Sequence, residues 1–151
     1  MHKLRSLLLV EDNIYDAELI MTGLEENNLA NKLIHVRDGE EALDYLYCRG
    51  KFAGRMDGNP AVVLLDLNLP KVNGLEVLRQ MKTDAGIKLI PVVILTSSRE
   101  DKDVIEGYAL GTNGYVVKPI DFHEFVDTIK QLGAFWAIIN QPPPECACMA
   151  K

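Results

Sequence analysis

The stretch from residue 61 to 70, Ala-Val-Val-Leu-Leu-Asp-Leu-Asn-Leu-Pro, constrains the fold more than any other part of the chain. Five apolar residues precede one carboxylate, Asp66, and a proline closes the run. An unbroken apolar run of this kind is typical of a strand that is buried on both faces of a parallel sheet. Such a strand would place Asp66 at the carboxyl edge of the sheet, where open α/β sheets bind ligands. Taken alone, Asp66 could equally well cap the following turn, since aspartate is a common turn residue.

The overall composition limits the class of protein. With 151 residues, of which 48% are hydrophobic, the chain is long enough for one domain with a substantial core. A net charge of −6 argues against a nucleic-acid-binding protein, which usually presents a basic face. No apolar run approaches the roughly 18 residues of a membrane span, and the apolar start of the chain stops at Glu11 without a signal-peptide cleavage site. We therefore expect a cytoplasmic protein that contacts neither nucleic acid nor membrane.

Strand-like and helix-like patterns alternate five times along the chain. The predicted strands are residues 6–10, 32–36, 61–66, 92–95 and 115–117, and apolar residues recur at helical spacing after each of them. This alternation predicts an α/β fold, in which helices cover both faces of a parallel five-stranded sheet. We expect one domain over residues 1–140 and a mobile tail over residues 141–151, which contain three consecutive prolines.

Residues with helix-capping side chains stand before several predicted helices. Asp38 and Glu41 have the spacing of a capping box before the second helix, and Asp121 and Glu124 have the same spacing before the fifth. The hydroxyl-bearing run at residues 96–98 is placed to cap the fourth helix. These signals set the expected helix starts.

Charged residues follow the predicted strands and should meet at one edge of the sheet, because all five strands are parallel. They are Glu11 and Asp12 after the first strand, Asp66 after the third and Lys118 after the fifth, with the hydroxyl of Thr96 after the fourth. Three carboxylates in one crevice repel one another unless a cation compensates their charge. Magnesium suits this role, since it takes one or two carboxylates and keeps several waters.

The same crevice also suits a phosphoryl group. Phosphoryl transfer depends mainly on positioning and on neutralising the charge of the phosphoryl oxygens, for which a metal ion and Lys118 are available. Aspartate side chains are known nucleophiles that form aspartyl phosphates. The hydroxyl of Thr96 could donate a hydrogen bond to a phosphoryl oxygen.

At this point the sequence resembles the receiver domain of two-component response regulators. The matching motifs are Leu-Val-Glu-Asp-Asn at 9–13, Leu-Leu-Asp-Leu-Asn-Leu-Pro at 64–70, Asn-Gly at 73–74, Leu-Thr-Ser at 95–97 and Val-Lys-Pro at 117–119. Five motifs in this order are a specific signal, and the resemblance covers about residues 5–135. It implies a flavodoxin-like (CheY-like) fold with the strand order 2-1-3-4-5.

The resemblance implies a role for each crevice residue. Asp66 would accept a phosphoryl group from a sensor histidine kinase, in a two-component phosphorelay. Asp12 and Asp66 would bind Mg²⁺ or Mn²⁺ together with the backbone carbonyl of Asn68, and Glu11 would act through a metal-bound water. Lys118 would contact the phosphoryl group.

The resemblance also implies a switch. Thr96 would turn inward on phosphorylation and Tyr115 would follow it, which would couple the chemistry to the face built by the fourth helix, the fifth strand and the fifth helix. Asn68 and Ser98 would lie near the path of the hydrolytic water, and the peptide bond before Pro119 would be cis. Simpler interpretations stay open, in which Thr96 only caps a helix and Tyr115 is an ordinary aromatic residue at a strand start.

Finer features resemble the response regulators of bacterial phytochromes, chiefly cyanobacterial ones. These features are Asp-Tyr-Leu-Tyr at 44–47, Arg-Gly at 49–50, Leu-Asn-Leu-Pro-Lys at 67–71, Val-Lys-Pro-Ile-Asp-Phe at 117–122 and the residues Leu132, Gly133, Trp136, Asn140 and Pro142. They imply a light-sensing histidine kinase as phosphate donor. They also imply a homodimer through the face of the fourth and fifth helices, to which Tyr108, Phe125 and Trp136 could contribute. Trp136 could instead pack in the core.

Other functions fit the crevice less well. A pseudo-receiver, which binds partners without ever taking phosphate, would be favoured by the loss of Asp12, Asp66 or Lys118, and all three are present. A phosphatase of the aspartate-nucleophile type needs a second aspartate where this chain has Asn68. A flavodoxin-like redox protein needs loops that cradle phosphate, and the carboxylates after the first strand would repel a flavin phosphate.

Cysteine and histidine residues carry no predicted chemistry. The cysteines are Cys48, Cys146 and Cys148, an odd number without the spacing of a disulfide framework or a zinc site. The histidines are His2, His35 and His123, and all are expected outside the crevice. A phosphodonor histidine would therefore belong to the partner kinase.

Overall fold

Strands and helices alternate along residues 5–144, the part of the chain that the computed structural model describes. The strands are β1 (Leu7–Val10), β2 (Leu33–Val36), β3 (Val62–Leu65), β4 (Val92–Thr96) and β5 (Gly114–Val117). The helices are α1 (Ile14–Glu25), α2 (Gly39–Leu46), α3 (Gly74–Thr83), α4 (Asp101–Leu110) and α5 (Phe122–Gly133), and the π-helical segment Ala134–Ile139 continues α5. The strands form one parallel sheet in the order β2-β1-β3-β4-β5, which confirms the predicted architecture.

Both faces of the sheet are buried, and β1 shows how. Leu8 and Val10 pack with residues of α2 and α3 on one face, whereas Leu7 and Leu9 pack with residues of α1 and α5 on the other. Each of these four side chains is at most 1% exposed. Burial on both faces explains the unbroken apolar runs of the central strands. It leaves the ends of the strands as the places where polar side chains can gather.

Two predicted helix caps are present. Asp38 Oδ1 accepts a hydrogen bond from the backbone N–H of Glu41 at 2.8 Å, and Asp121 Oδ2 accepts one from that of Glu124 at 2.9 Å. The carboxylate of Glu41 accepts a hydrogen bond from the N–H of Arg37 at 2.8 Å, one residue before the cap. The sequence signals therefore locate the starts of α2 and α5.

The start of α4 differs from the prediction. Residues 96–98 do not cap this helix, which begins at Asp101 after Glu100, and the side chain of Glu100 makes no capping hydrogen bond. The reason lies in Ser98, whose hydroxyl donates to Asp103 Oδ2 at 2.6 Å and accepts from the N–H of Glu100 at 3.3 Å. Ser98 thus ties the loop to the helix without being its cap.

The chain returns to its starting edge after α5. Arg5 Nη1 donates a hydrogen bond to the backbone carbonyl of Pro143 at 2.7 Å, so the first residues of the predicted tail lie near the amino end of β1. Residues 145–151, with Cys146 and Cys148, lie outside the described residues, and so does His2. Within residues 5–144, no helix has the length and apolar character needed to cross a membrane.

Candidate functional site

Backbone hydrogen bonds just past the strand ends position the charged residues. The N–H groups of Glu11 and Asp66 donate to carbonyls of β2 and β1 at 3.0 and 3.1 Å, and the N–H of Lys118 donates to the carbonyl of Thr96 at 2.8 Å. These bonds continue the parallel ladder beyond the strands. The three side chains therefore leave the sheet at the same edge, as the sequence predicts.

The ammonium group of Lys118 lies at the centre of the crevice. Its Nζ is 2.7 Å from Glu11 Oε1, 2.8 Å from Asp16 Oδ2 and 3.0 Å from Asp66 Oδ2. An ammonium group has three N–H donors, so these three carboxylates can engage all of them. Burial by itself lowers the pKa of Lys118, but the hydrogen bonds with Asp16 and Glu11 and the nearby carboxylate charges hold it above its ordinary value. Lys118 is therefore charged at neutral pH.

A group of carboxylates beside Lys118 has the geometry of a cation site. Glu11, Asp12 and Asp66 each offer one oxygen atom, and these atoms lie within 4.8 Å of one another. Glu11 and Asp66 are buried, whereas Asp12 is exposed. Burial raises the pKa of Glu11 to about 7, against the lowering effect of the hydrogen bond from Lys118. An oxygen-only donor set with one member open to solvent fits Mg²⁺ or Mn²⁺, which bind through carboxylates and retain waters.

Asn68 and Gly74 shape the loop that carries Asp66. The backbone N–H of Asn68 donates to Asp66 Oδ1 at 3.3 Å, which keeps the predicted ligand residue next to the carboxylate. A Cβ atom at Gly74 would lie 2.2 Å from the backbone oxygen of Asp66 and 2.6 Å from the Cα of Leu67. The start of α3 can therefore approach the Asp66 loop only with glycine at this position. The sequence signal for this contact was the Asn-Gly motif at 73–74.

The two predicted switch residues contact the same loop. Thr96 is the last residue of β4 and is completely buried, and its hydroxyl accepts a hydrogen bond from the N–H of Ser98 at 3.4 Å. The hydroxyl of Tyr115 in β5 donates to the carbonyl of Ser98 at 2.9 Å. The structure thus connects both side chains to the segment between β4 and α4. Their movement on phosphorylation stays a prediction.

Asp16 is a crevice residue that the sequence analysis missed. It lies in the first turn of α1, where its backbone N–H donates to the capping side chain of Asn13 at 3.1 Å. Its position in the first turn of the helix that directly follows Glu11 and Asp12 was an available signal, because a short connection keeps that turn close to the end of the strand. The predicted set contains only residues at strand ends and therefore omits it.

The structure corrects one predicted interface residue. Phe125 is only 4% exposed and packs in the core between α5 and the sheet, so it cannot present a surface to a partner. Trp136 is partly buried and packs against the same core cluster. Tyr108 on α4 is 55% exposed, as an interface residue requires.

One further expectation at the crevice is wrong. No peptide bond within residues 5–144 is cis, so the bond before Pro119 is trans. Cis and trans forms of a bond to proline differ by only about 0.5–1 kcal/mol, and the sequence alone therefore does not decide the isomer. His35 is exposed on β2, and its Nε2 donates to the backbone carbonyl of Glu11 at 2.8 Å. This contact arises because β2 pairs with β1, which places His35 beside Leu9.

The sequence of this chain is similar to one family model and to several known proteins. The family model described as response regulator receiver domain matches residues 7–130. The probable methanogenesis regulatory protein FilR2 of Methanothrix harundinacea is 41% identical over 137 residues, which cover 91% of this chain and 86% of FilR2. The response regulator Rcp1 of Synechocystis sp. is 37% identical over 130 residues, which cover 86% of this chain and 87% of Rcp1.

Solved structures are similar over nearly the whole chain. The phosphorylated cyanobacterial phytochrome response regulator RcpA is 36% identical with a TM-score of 0.87, over 94% of this chain and 100% of its own. The Mn²⁺-bound form of Rcp1 is 35% identical with a TM-score of 0.85, over 93% of this chain and 99% of its own. The bacteriophytochrome response regulator RtBRR is 56% identical with a TM-score of 0.74, over 94% of this chain and 86% of its own.

Proposed function

Because the chain belongs to the response regulator receiver family, we propose that Asp66 accepts a phosphoryl group from a sensor histidine kinase, in a receiver domain that spans residues 1–140. The observation that carries this assignment is the buried Lys118 ammonium, 3.0 Å from Asp66 Oδ2 and beside a second buried carboxylate, Glu11. A lysine and a cation site beside an aspartate supply the positioning and the positive charge on which phosphoryl transfer depends.

The chain's own residues have distinct parts in this reaction. An oxygen of the Asp66 carboxylate forms a bond to phosphorus as the bond from phosphorus to the donor nitrogen breaks, and the electron pair of that bond stays on the donor. A divalent cation held by Glu11, Asp12 and Asp66, with the backbone carbonyl of Asn68, would neutralise charge on the phosphoryl oxygens. Lys118 supplies positive charge from another direction, and its three donors can rotate to follow the phosphoryl group.

Phosphorylation then changes the charge at one point of a connected loop. The phosphoryl group carries a charge of about −1.5 to −2 at neutral pH in place of the single negative charge of the Asp66 carboxylate, and its acceptor oxygens can take a hydrogen bond from Thr96. Ser98 links the two switch residues, because its backbone N–H donates a hydrogen bond to the hydroxyl of Thr96 and its carbonyl accepts one from the hydroxyl of Tyr115. A shift of Thr96 toward the phosphoryl group would therefore alter the Tyr115 contact and favour a second arrangement of the β4–α4 segment.

The assignment is tested by intact-mass measurement after incubation with acetyl phosphate and Mg²⁺. The wild type should gain the mass of one phosphoryl group, and chelation with EDTA should prevent the gain. Asp66→Asn should gain nothing, whereas the matched control Asp127→Asn, which alters an exposed aspartate of α5, should behave as the wild type. Phosphate retained on Asp66→Asn would refute the assignment. No gain on the wild type would favour a module that binds partners without phosphorylation.

The donor kinase is proposed to be a phytochrome-type light sensor. This proposal rests on the similarity to RcpA and RtBRR, which are phytochrome response regulators. FilR2, described as a probable methanogenesis regulatory protein, is also a relative, so the choice of kinase is tested directly. Phosphotransfer from a labelled phytochrome kinase should be faster than from an unrelated histidine kinase. Equal rates would contradict the pairing.

With a net charge of −6, the protein is proposed to act in the cytoplasm through protein contacts, without nucleic acid or membrane.

The surface of α4, β5 and α5 is proposed as a homodimer interface. On α4, Ile105 is 68% exposed and Tyr108 is 55% exposed, and the partly buried Trp136 lies beyond the end of α5. Sedimentation of the phosphorylated protein should show a dimer that Tyr108→Ser weakens. Tyr15→Ser, which removes an even more exposed aromatic residue from α1, should leave the dimer unchanged. Equal effects of the two variants would argue against this interface.

A further inference from the structure

The cation group contains one carboxylate that is less restrained than the other two. Glu11 and Asp66 are buried and accept hydrogen bonds from the crevice lysine, whereas Asp12 is exposed. Among residues 5–144, no group donates a hydrogen bond to the Asp12 carboxylate. The place of this ligand therefore depends on the backbone that carries it between β1 and α1.

Contacts on either side of Asp12 hold this backbone. The N–H of Asn13 donates to Glu11 Oε2 at 3.2 Å, and the side chain of Asn13 caps α1. The N–H of Glu11 donates to the carbonyl of Val36 in β2 at 3.0 Å. The carbonyl of Glu11 accepts a hydrogen bond from His35 Nε2 at 2.8 Å. Of these groups, only this carbonyl belongs to the peptide bond that joins Glu11 to Asp12.

The hydrogen bond from His35 fixes the plane of that peptide bond. A carbonyl oxygen only accepts hydrogen bonds, so the Nε2 atom carries a proton and donates it to the bond. Because a peptide group is planar, fixing its carbonyl also fixes the N–H of Asp12 and the direction in which the chain continues to the Asp12 Cα. The imidazole reaches this peptide from the neighbouring strand, where the register pairs His35 with Leu9, two residues before Glu11.

We propose that His35 is a positioning residue of the cation site, whose imidazole holds the Glu11–Asp12 peptide so that the Asp12 carboxylate faces the cation. This inference rests on the proposed cation-dependent phosphorylation of Asp66. Groups that hydrogen-bond to the residues around a metal orient its ligands and raise its affinity. Without the imidazole donor this peptide can turn, and part of the binding free energy of the cation is then needed to order Asp12.

Titration calorimetry with Mn²⁺ tests this proposal through cation affinity, without phosphoryl transfer. His35→Leu, which removes the donor, should raise the dissociation constant for Mn²⁺ about threefold to tenfold, the range of one net hydrogen bond. His35→Gln can donate to the same carbonyl and should bind Mn²⁺ like the wild type. Glutamine and leucine are both uncharged, so their comparison isolates the hydrogen bond from any charge on the imidazole. His123→Leu makes the same replacement at an exposed histidine of α5 and should leave the affinity unchanged.

Two further readouts separate positioning of the ligand from a contribution to folding alone. Urea unfolding in EDTA measures the stability of His35→Leu without a cation. A lower stability combined with an unchanged Mn²⁺ affinity would mean that the hydrogen bond only supports the fold, and would overturn the proposal.

Phosphate uptake from acetyl phosphate, followed by intact mass, gives the second readout. His35→Leu should need more Mg²⁺ than the wild type to reach half its maximal rate of uptake. The maximal rate should be unchanged, because Asp66 and Lys118 keep their places. A lower maximal rate at saturating Mg²⁺ would place the effect on these residues instead and would also overturn the proposal.

The remaining outcomes distinguish this inference from the proposed function. If the wild type takes up phosphate and His35→Leu binds Mn²⁺ as tightly as the wild type does, only this inference fails. Equal weakening of Mn²⁺ binding in His35→Gln and His35→Leu would also refute it, because the hydrogen bond would not be the cause. If His35→Leu alone weakens Mn²⁺ binding but the wild type takes up no phosphate, His35 positions a cation ligand and the assignment of Asp66 fails.

Discussion

Lys118 and Arg55 are cations buried to the same extent, but their partners differ in charge. The side chain of Lys118 is 8% exposed and that of Arg55 is 7% exposed. Lys118 donates to three carboxylates. Arg55 donates to the backbone carbonyls of Tyr45 and Gly58 and to one carboxylate, Asp57. The crevice around Lys118 therefore has an excess of negative charge, whereas the charges of Arg55 and Asp57 balance.

This difference separates a structural cluster from a reactive site. The guanidinium of Arg55 stacks over the ring of Tyr45, with its Cζ 3.9 Å from the ring centroid, and fastens the loop before β3 to α2. Neutral carbonyls satisfy most of its donors, so the cluster needs no further ligand. In the crevice, the exposed Asp12 adds one more carboxylate beside those that Lys118 contacts. Such an excess of like charges favours the binding of a divalent cation.

The largest expected effect comes from replacing each cation with methionine. Lys118→Met should lower the free energy of unfolding by about 3 kcal/mol in EDTA, because it leaves the buried carboxylates of Glu11 and Asp66 without a cation. Arg55→Met should lower it by about 1–2 kcal/mol, because it removes hydrogen bonds to backbone carbonyls and its carboxylate partner is half exposed. Saturating Mg²⁺ should then stabilise Lys118→Met more than it stabilises the wild type, since the ion takes over the charge that the lysine compensated. In Arg55→Met the gain from Mg²⁺ should equal that of the wild type. Urea unfolding with and without Mg²⁺ measures the stability of each variant and its stabilisation by Mg²⁺. Equal stabilisation of the two variants by Mg²⁺ would contradict the proposed difference between the two regions.

A smaller effect, of opposite sign at the two places, should follow the removal of one carboxylate. In EDTA, Asp12→Asn should raise the free energy of unfolding by about 0.5–1 kcal/mol, because it relieves repulsion among like charges. Asp57→Asn should lower it by a similar amount, because it takes away the carboxylate partner of Arg55. Asp127→Asn serves as the surface control and should stay within about 0.5 kcal/mol of the wild type. If Asp12→Asn and Asp57→Asn change stability in the same direction, the two regions do not differ as proposed.

The sequence predicted those crevice residues whose positions are determined by the ends of the strands. Glu11, Asp66 and Lys118 each follow an apolar run, and parallel strands bring such residues to one edge whatever the details of packing. The contact of Asp16 depends on the orientation of α1 against the sheet, which a strand-end argument does not give. Phe125 was predicted at an interface, but it belongs to the apolar face of α5 that packs against the core.

The cluster around Arg55 shows why other contacts were beyond sequence reasoning. Residues 49–60 contain three glycines and a proline among charged residues, which is typical of a surface loop. Nothing in this pattern places a guanidinium over the ring of Tyr45 in α2. That contact depends on the path of the whole loop. The predicted cap of α4 was wrong for a related reason. The hydroxyl of Ser98 donates a hydrogen bond to Asp103 instead, and this contact depends on how the loop and the helix are placed in the fold.

The smallest expected effect concerns the pH dependence of the Arg55 cluster. Burial raises the pKa of Asp57, but hydrogen bonds from Arg55 and Tyr45 hold it below its ordinary value. The stabilisation from charged Asp57 should be fully present above the ordinary aspartate pKa of about 3.9 and be lost as the pH falls through the lower pKa of the folded state. Because the Asp57 side chain is 47% exposed, we expect this contribution to stay below about 1 kcal/mol.

Urea unfolding of the wild type and Asp57→Asn over a range of pH measures this contribution as the difference between the two proteins. The difference should be constant from neutral pH down to about pH 5 and should shrink below about pH 4, as Asp57 takes up its proton in the folded state. A difference that persists at the lowest pH would mean that Asp57 stabilises the loop by shape and neutral hydrogen bonding. In that case the Arg55 cluster would not owe its stability to balanced charge, and the contrast with the Lys118 crevice would rest on the metal response alone.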